Sequence, residues 1–301
     1  MGLLKDVRTV ADGWRWTRQS LVPRSAVAHT PPKERREFPT AWARTPAARA
    51  VRDGVQSLGL RPLVWSQTRP RVHGLEHLDR LAGPVLFVSN HSSHLDAPLV
   101  LCSLPPAWRS KTAVGAASDY FFDARWRAFG SALVFSTFPV DRHGGTSADT
   151  GARLIAEGWS LLLFPEGTRS HDGWMQRFKH GVARLALSHG VPIVPIAIRG
   201  SFAAMPKGRS WPVKGRPPVS VRFGPAVWPE PGVAHRDTTH ELVAAVSRLW
   251  DEDETDWYSS LRRAAEDSTP VPSGPAASSW RRTWEASTPL PRVGRRPVWR
   301  R

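Results

Sequence analysis

Three side chains that can exchange protons follow a short apolar run at residues 84–89. They are His91, His94 and Asp96. The spacing of His91 and Asp96 lets the carboxylate hold one imidazole nitrogen, which fixes the tautomer and leaves the other nitrogen to accept a proton. Three alternatives compete with catalysis: a histidine that satisfies a buried backbone group, Asp96 as a helix N-cap, and the three residues as metal ligands. The pattern His-x4-Asp alone does not decide between them.

A second polar turn follows the apolar run Leu161–Phe164 and contains Glu166, Gly167, Thr168 and Arg169. Gly167 permits a close backbone approach, and Thr168 and Arg169 supply donors that suit phosphate oxygens. Glu166 cannot attract an anion, so we expect it to orient an arginine or to accept a hydrogen bond from a substrate hydroxyl. The alternative is a strand-to-loop turn with a surface salt bridge.

Two further stretches carry weaker signals. Phe138–Arg142 ends in the charge pair Asp141 and Arg142, which makes Arg142 a second candidate phosphate ligand with Asp141 as its orienting partner. Val191–Ile196 has no chemistry of its own, but it can line an apolar wall. Its two prolines cannot donate to a β-ladder, which predicts the edge of a sheet or the end of a strand.

Apolar runs alternate with helical patterns through the middle of the chain. The predicted strands lie at 84–89, 161–164, 191–198 and 219–223, the last with one exposed face. The predicted helices lie at 147–157, at 182–188, and beyond a capping box formed by Thr238 and Glu241. This alternation predicts an α/β domain with a largely parallel central sheet flanked by helices. Polar residues at the ends of such strands are where an open sheet usually holds its site.

Charge divides the 301 residues into three parts. The chain has 42 Lys+Arg and 26 Asp+Glu, a net charge of +16, of which residues 1–60 and residues 268–301 carry +6 each. We therefore predict a basic helical or irregular lead-in at 1–60, a folded domain at 61–265 and a disordered basic tail at 268–301. Five tryptophans lie among the arginines of the two ends: Trp14, Trp16, Trp280, Trp284 and Trp299. This composition favours contact with an anionic membrane surface, the alternative being solvated tails.

Composition also excludes several classes of protein. Cys102 is the single cysteine, which excludes a disulfide framework and a multi-cysteine zinc site, and its apolar neighbours predict a core position. The sequence shows no apolar run of the ~18 residues that a spanning helix needs and no secretory signal. Asp6 stands where myristoylation requires Ser or Thr. We expect a cytoplasmic protein, peripheral on the inner face of the cell membrane. The nearly neutral middle and the lack of a nucleic-acid-binding motif argue against a specific nucleic-acid partner.

Taken in order, the polar segments resemble the four sequence blocks of the glycerolipid acyltransferase family, in particular the bacterial 1-acyl-sn-glycerol-3-phosphate acyltransferases. The matching segments are 90–96, 138–142, 164–170 and 191–196, with Phe178–Gly181 resembling the Phe-Lys-x-Gly that follows the third block. The resemblance spans about residues 72 to 225. One departure is that Ser136 and Thr137 replace the glycine often found before the second block.

The resemblance implies transfer of a fatty acyl group from a thioester, on coenzyme A or acyl carrier protein, to the hydroxyl of 1-acyl-glycerol-3-phosphate, giving phosphatidic acid. Glycerol-3-phosphate or another lyso-lipid is the alternative acceptor. The implied roles are His91 as general base held by Asp96, and binding of the acceptor and its phosphate by Arg142, Glu166, Gly167, Thr168 and Arg169. No metal or nucleotide cofactor is implied, since the acyl thioester is a co-substrate. A metal-dependent hydrolase with His91, His94 and Asp96 as ligands remains the rival.

Overall fold

The computed structural model of the chain describes residues 39–117, 125–140 and 147–274. Within these ranges the strands are β1 (Arg69–His73), β2 (Leu86–Ser89), β3 (Thr112–Ala117), β4 (Phe138–Val140), β5 (Ser160–Leu163), β6 (Ile193–Arg199) and β7 (Pro218–Phe223). The α-helices are α1 (Pro46–Gly54), α2 (Arg61–Gln67), α3 (Asp96–Ser103), α4 (Pro106–Ser110), α5 (Arg125–Phe135), α6 (Ser147–Ala156), α7 (Gly181–His189), α8 (Ser201–Ala204), α9 (His235–Glu254) and α10 (Trp257–Ala265). A π-helical turn, Val55–Leu60, joins α1 to α2, and 3-10 turns lie at Ala41–Arg44 and Leu75–Leu78.

The seven strands form one sheet in the order β1-β7-β6-β2-β5-β3-β4. Neighbouring strands run parallel except β6 and β7, which pair antiparallel. The predicted α/β class with a largely parallel sheet is therefore confirmed.

Each face of the sheet packs against its own apolar layer of helices. Successive residues of β2 point to opposite faces, so that Phe87 belongs to one cluster and Leu86 and Val88 to the other. The Phe87 cluster includes Leu99 of α3, and the opposite cluster includes Leu242 of α9. Because helices cover both faces, β2 and β5 are buried along their whole length. This burial explains their unbroken apolar sequences.

The fold brings the two main polar turns together at one edge of the sheet. β2 and β5 are parallel neighbours, with Val88 opposite Leu163. The segments that follow them, residues 90–96 and 165–170, therefore leave adjacent strands at the same end. The predicted strands at 84–89 and 161–164 and the polar turns after them agree with these positions within two residues.

Three local predictions are wrong. β6 lies inside the sheet between β7 and β2, so of the two positions predicted for Val191–Ile196 the edge is wrong. The run does contain the end at which β6 begins, and Pro195 precedes the antiparallel ladder that starts at Ile196. β7 is buried on both faces apart from its first residue and the partly exposed Arg222, since α9 covers the face expected to be exposed. The capping box fails because α9 already begins at His235, which places Thr238 inside the helix with its hydroxyl directed at the Ala234 carbonyl.

The predicted basic ends fall mostly outside the described residues. The structure describes nothing before residue 39 or after residue 274, so the five tryptophans of the two ends lie outside it. Residues 41–67, which overlap the predicted lead-in, are helical almost throughout. Among the described residues, no helix combines the length and the apolar character needed to cross a membrane.

Candidate active site

The segment after β2 places an imidazole against a buried carboxylate. His91 Nδ1 lies 2.8 Å from Asp96 Oδ2, and the backbone N–H groups of Ser92 and Ser93 donate to the same oxygen at 2.7 and 2.8 Å. Asp96 is completely buried at the start of α3. The alternative that Asp96 is a helix N-cap is wrong, because Leu95 occupies the N-cap position and the carboxylate binds amides that precede the helix.

These hydrogen bonds determine which nitrogen of His91 is the base. Asp96 Oδ2 accepts from two backbone amides, so it also accepts from His91, and Nδ1 carries the proton. The other nitrogen, Nε2, keeps its lone pair. The ring stacks on Phe164 with centroids 4.1 Å apart and planes 22° from parallel, and the side chain remains 19% exposed. The imidazole is therefore held on one edge and one face while remaining accessible.

Buried polar side chains fasten this segment to the strand beside it. The Asn90 side chain donates to the Ile198 carbonyl at 2.9 Å and accepts from the Ile198 amide at 2.8 Å. The hydroxyls of Ser92 and Ser201 lie 2.9 Å apart. Sequence reasoning did not find these roles. The only sequence signal for these roles is that the polar residues directly follow an apolar strand. The structure shows that they are almost completely buried, so their polar atoms require partners inside the protein.

The segment after β5 encloses the backbone of His91. Gly167 adopts φ +74°, a left-handed conformation that favours glycine. The Ser170 N–H donates to the His91 carbonyl at 2.8 Å, and the His91 N–H donates to Glu166 Oε1 at 2.7 Å. The first and third blocks therefore contact each other through backbone hydrogen bonds, and Glu166 binds the backbone of the histidine.

Positive side chains lie beside these turns. Burial and the neighbouring Arg169 guanidinium lower the pKa of His94 to about 4, so His94 is neutral at pH 7. The Lys207 ammonium donates to His171 Nε2 at 2.6 Å and to the Arg169 carbonyl at 3.4 Å. Lys179 Nζ lies 2.9 Å from the point that a Cβ on Gly167 would occupy. Sequence reasoning assigned no role to Lys179 or Lys207, although Lys179 belongs to the Phe-Lys-x-Gly segment.

The second block is only partly described. Asp141 and Arg142 lie outside the described residues, so the second predicted phosphate ligand is not placed. Ser136, which stands just before that block, is buried and adopts φ +50°. This non-glycine residue thus takes the left-handed conformation that glycine adopts most easily.

Two other candidate chemistries have little geometric support in the part of the chain that the structure describes. No group of three or more His, Cys, Asp or Glu side chains there is arranged to hold a metal ion. Cys102 lies in the core, where burial raises the pKa of its thiol to about 11. The thiol is therefore protonated and shielded at neutral pH, as its apolar neighbours predict.

Comparison with known proteins identifies the domain that holds these turns. The sequence model of the Acyltransferase family matches residues 69–199. Residues 69–199 are therefore similar to the acyltransferase domain that this model describes. The matched segment of this acyltransferase domain runs from the start of β1 to the end of β6, and so contains both the His91 turn and the Glu166 turn.

Several relatives of the acyltransferase domain are named 1-acyl-sn-glycerol-3-phosphate acyltransferases. The protein of that name from Limnanthes douglasii is 32% identical over 55% of this chain. The chloroplastic protein from Brassica napus is 35% identical over 46% of this chain. The matched regions span 57% and 39% of the lengths of these two relatives.

A solved structure shares the fold. The crystal structure of the 1-acyl-sn-glycerophosphate (LPA) acyltransferase PlsC from Thermotoga maritima superposes with a TM-score of 0.58. The match covers 70% of this chain and 83% of that one, at 24% sequence identity. It supports the architecture of the acyltransferase domain.

Proposed function

We propose that this protein transfers a fatty acyl group from an acyl thioester to the free hydroxyl of 1-acyl-glycerol-3-phosphate, giving phosphatidic acid. The observation that carries the proposal is the accessible imidazole of His91, whose Nδ1 is committed to Asp96 and whose Nε2 is left as a base beside the turn that contains Arg169. The names of the relatives support the same acceptor.

The chemistry requires a base more than an enzyme nucleophile. The thioester carbonyl is already activated, whereas the acceptor alcohol attacks poorly until its proton is removed. His91 Nε2 takes that proton while the alcohol oxygen forms the new C–O bond, and the C–S bond then breaks as the proton passes to the thiolate. Asp96 stabilises the positive imidazole that exists between the two proton transfers.

Hydrogen-bond donors in the third block, residues 164–170, hold the acceptor phosphate. The Arg169 guanidinium and the backbone N–H of Thr168 supply donors for its oxygens, with Arg142 as a further ligand from the second block. The Gly167 N–H donates to the Phe164 carbonyl, so Gly167 contributes the tight turn that lets the phosphate approach and not a donor. An anchored phosphate places the acceptor hydroxyl close to His91, which converts a bimolecular encounter into a positioned one. We propose no metal or nucleotide cofactor for this reaction.

An assay of thiol release distinguishes the candidate acceptors. Acyl-CoA and acyl carrier protein thioesters are each incubated with 1-acyl-glycerol-3-phosphate, glycerol-3-phosphate, other lyso-lipids and a phosphate-free monoacylglycerol. We expect the fastest release with 1-acyl-glycerol-3-phosphate, no loss after treatment with a chelator, and little release by His91→Ala prepared in the same way. Preference for another acceptor would reassign the substrate, and release abolished by chelation would favour the metal-dependent hydrolase.

We also propose that the protein works at an anionic membrane surface, on the inner face of the cell membrane, because both the acceptor and the product carry acyl chains. The net charge of +6 at each end of the chain supports this proposal. Exposed apolar side chains near α1 and α5 support it as well, since Leu58 is 85% and Phe129 57% exposed. We expect sedimentation with anionic vesicles that weakens as salt rises; equal binding to zwitterionic vesicles would contradict the proposal.

A further inference from the structure

Glu166 is a buried carboxylate whose two oxygens both face backbone amides. The side chain is 5% exposed and extends from the turn after β5. Oε1 accepts from the His91 N–H at 2.7 Å, and Oε2 accepts from the Gln176 N–H at 3.1 Å. The carboxylate therefore links the histidine segment to the loop that leads towards α7.

The same turn holds His91 from its other side. The His91 carbonyl accepts from the Ser170 N–H at 2.8 Å, so residues 166 and 170 bind the N–H and the C=O of one residue. Phe164, just before the turn, stacks on the imidazole. The backbone and the ring of His91 are thus both positioned by the segment that carries Arg169.

A carboxylate in this place is poorly suited to hold a phosphate. It is almost completely buried, and each oxygen already has a donor. Burial raises the pKa of Glu166 to about 8, although the two amide hydrogen bonds favour the charged form and oppose the shift. The charged groups around Glu166 include Asp96 and Asp172, whose negative charges raise the pKa of Glu166 further. Its polar neighbours include the backbone of His91.

We propose that Glu166 is a positioning residue for His91 and not an acceptor ligand. It fixes the distance between the imidazole and the turn that holds the acceptor phosphate, so that Nε2 meets the hydroxyl of an anchored substrate. The catalytic part of this inference rests on the proposed acyl transfer. The positional part rests on the hydrogen bonds alone.

The variant that separates these roles is Glu166→Gln. It keeps the size of the side chain but offers one acceptor and one amide donor, so that only one of the two N–H groups can be satisfied. A displacement of about 1 Å at a reacting group costs ~10²-fold in rate. Above pH 8, where Glu166 is charged, we expect kcat to fall 10- to 100-fold with the KM for the acceptor changed less than about threefold. Glu157→Gln, an exposed glutamate at the end of α6, is the matched control and should retain wild-type kinetics.

The pH dependence gives a second signature. Below about pH 8 the wild-type carboxyl becomes protonated and loses its charge, as Glu166→Gln has done permanently. The two proteins differ only at residue 166, so the ratio of their kcat values isolates Glu166. We expect the defect of Glu166→Gln to be largest above pH 8 and to shrink towards pH 6. A ratio that is independent of pH would contradict the role of the charged carboxylate.

Hydrogen–deuterium exchange tests the position without any turnover. In Glu166→Gln we expect faster exchange in the peptides that contain His91 and Gln176, with no change in β7 and α9. Raised acceptor KM with unchanged kcat and unchanged exchange would overturn the proposal and restore the acceptor-ligand role. Uniformly faster exchange would reduce Glu166 to a general stabilising residue and would also overturn it. If the wild-type protein transfers acyl groups to no acceptor, the proposed function fails, and exchange alone then decides whether Glu166 positions His91.

Discussion

Replacing Asp96 by Asn removes a charge while leaving the hydrogen-bond geometry almost intact. All three donors converge on Oδ2, and Oδ1 is buried without a partner among the described residues. The asparagine carbonyl can therefore occupy the position of Oδ2 and accept the same three bonds. Two charges about 4 Å apart interact by ~4 kcal/mol at an effective dielectric constant of ~20. Loss of this interaction with the imidazolium predicts a fall in kcat of about 10³-fold.

The same substitution places an amide NH2 group where Oδ1 was, in a buried position without an acceptor. An unsatisfied buried donor costs ~1–3 kcal/mol, so the free energy of unfolding should fall by about that amount. Thiol release at saturating acceptor measures kcat, and urea denaturation measures stability. Asp79→Asn, on an exposed aspartate, should change neither quantity. A folded Asp96→Asn protein that keeps kcat within about threefold of wild type would refute the reasoning, because the charge would then be irrelevant to turnover.

Three further predictions concern the residues around the site. Gly167→Ala forces a left-handed φ of +74° on a residue with a side chain and directs its Cβ at Lys179. The free energy of unfolding, measured by thermal denaturation, should therefore fall by ~1–2 kcal/mol, and the KM for the acceptor should rise. Unchanged values would contradict the role of the turn. Burial raises the pKa of Cys102 to about 11, so iodoacetamide at pH 7.5 should leave the folded protein unmodified in a mass spectrum, and Cys102→Ala should retain kcat. Because the pKa of Glu166 is raised from 4.5 to about 8, the folded state holds an extra proton between these values, and its stability should fall by up to ~1.4 kcal/mol per pH unit as pH rises. Urea denaturation at several pH values should show this slope in the difference between wild type and Glu166→Gln, and parallel curves would refute it.

The features that the sequence predicts correctly depend on local patterns. β2 and β5 are recognisable because a strand buried on both faces is apolar without interruption. The contact between His91 and Asp96 follows from five residues in a turn before a helix. The end of α7 is marked by Gly190, which adopts φ +62°.

The features that the sequence misses depend on which strands become neighbours. Asn90 binds Ile198, 108 residues away, because β2 and β6 pair in the sheet. Glu166 reaches the His91 backbone because β5 is the other neighbour of β2. Strand order is a property of the whole sheet, so a local pattern identifies a carboxylate at residue 166 but not its partner.

Local signals also fail where tertiary structure offers another partner. The two prolines of Val191–Ile196 predict the edge of a sheet or the end of a strand. The run lies at the start of β6, but this strand is inside the sheet, because its antiparallel ladder begins only after Pro195. Thr238 and Glu241 have the spacing of a capping box, but α9 begins a turn earlier and Thr238 directs its hydroxyl at Ala234. A tertiary arrangement overrides each of these propensities.

The central claim is that His91 accepts the proton of the acceptor hydroxyl, and the turnover of His91→Ala tests it most directly. General-base assistance contributes ~10²–10⁴-fold, so thiol release at saturating 1-acyl-glycerol-3-phosphate should slow by that factor while the acceptor KM stays within about threefold. His77→Ala, on an exposed histidine before β2, should behave as wild type. A folded His91→Ala protein that releases thiol at a rate close to wild type would contradict the account.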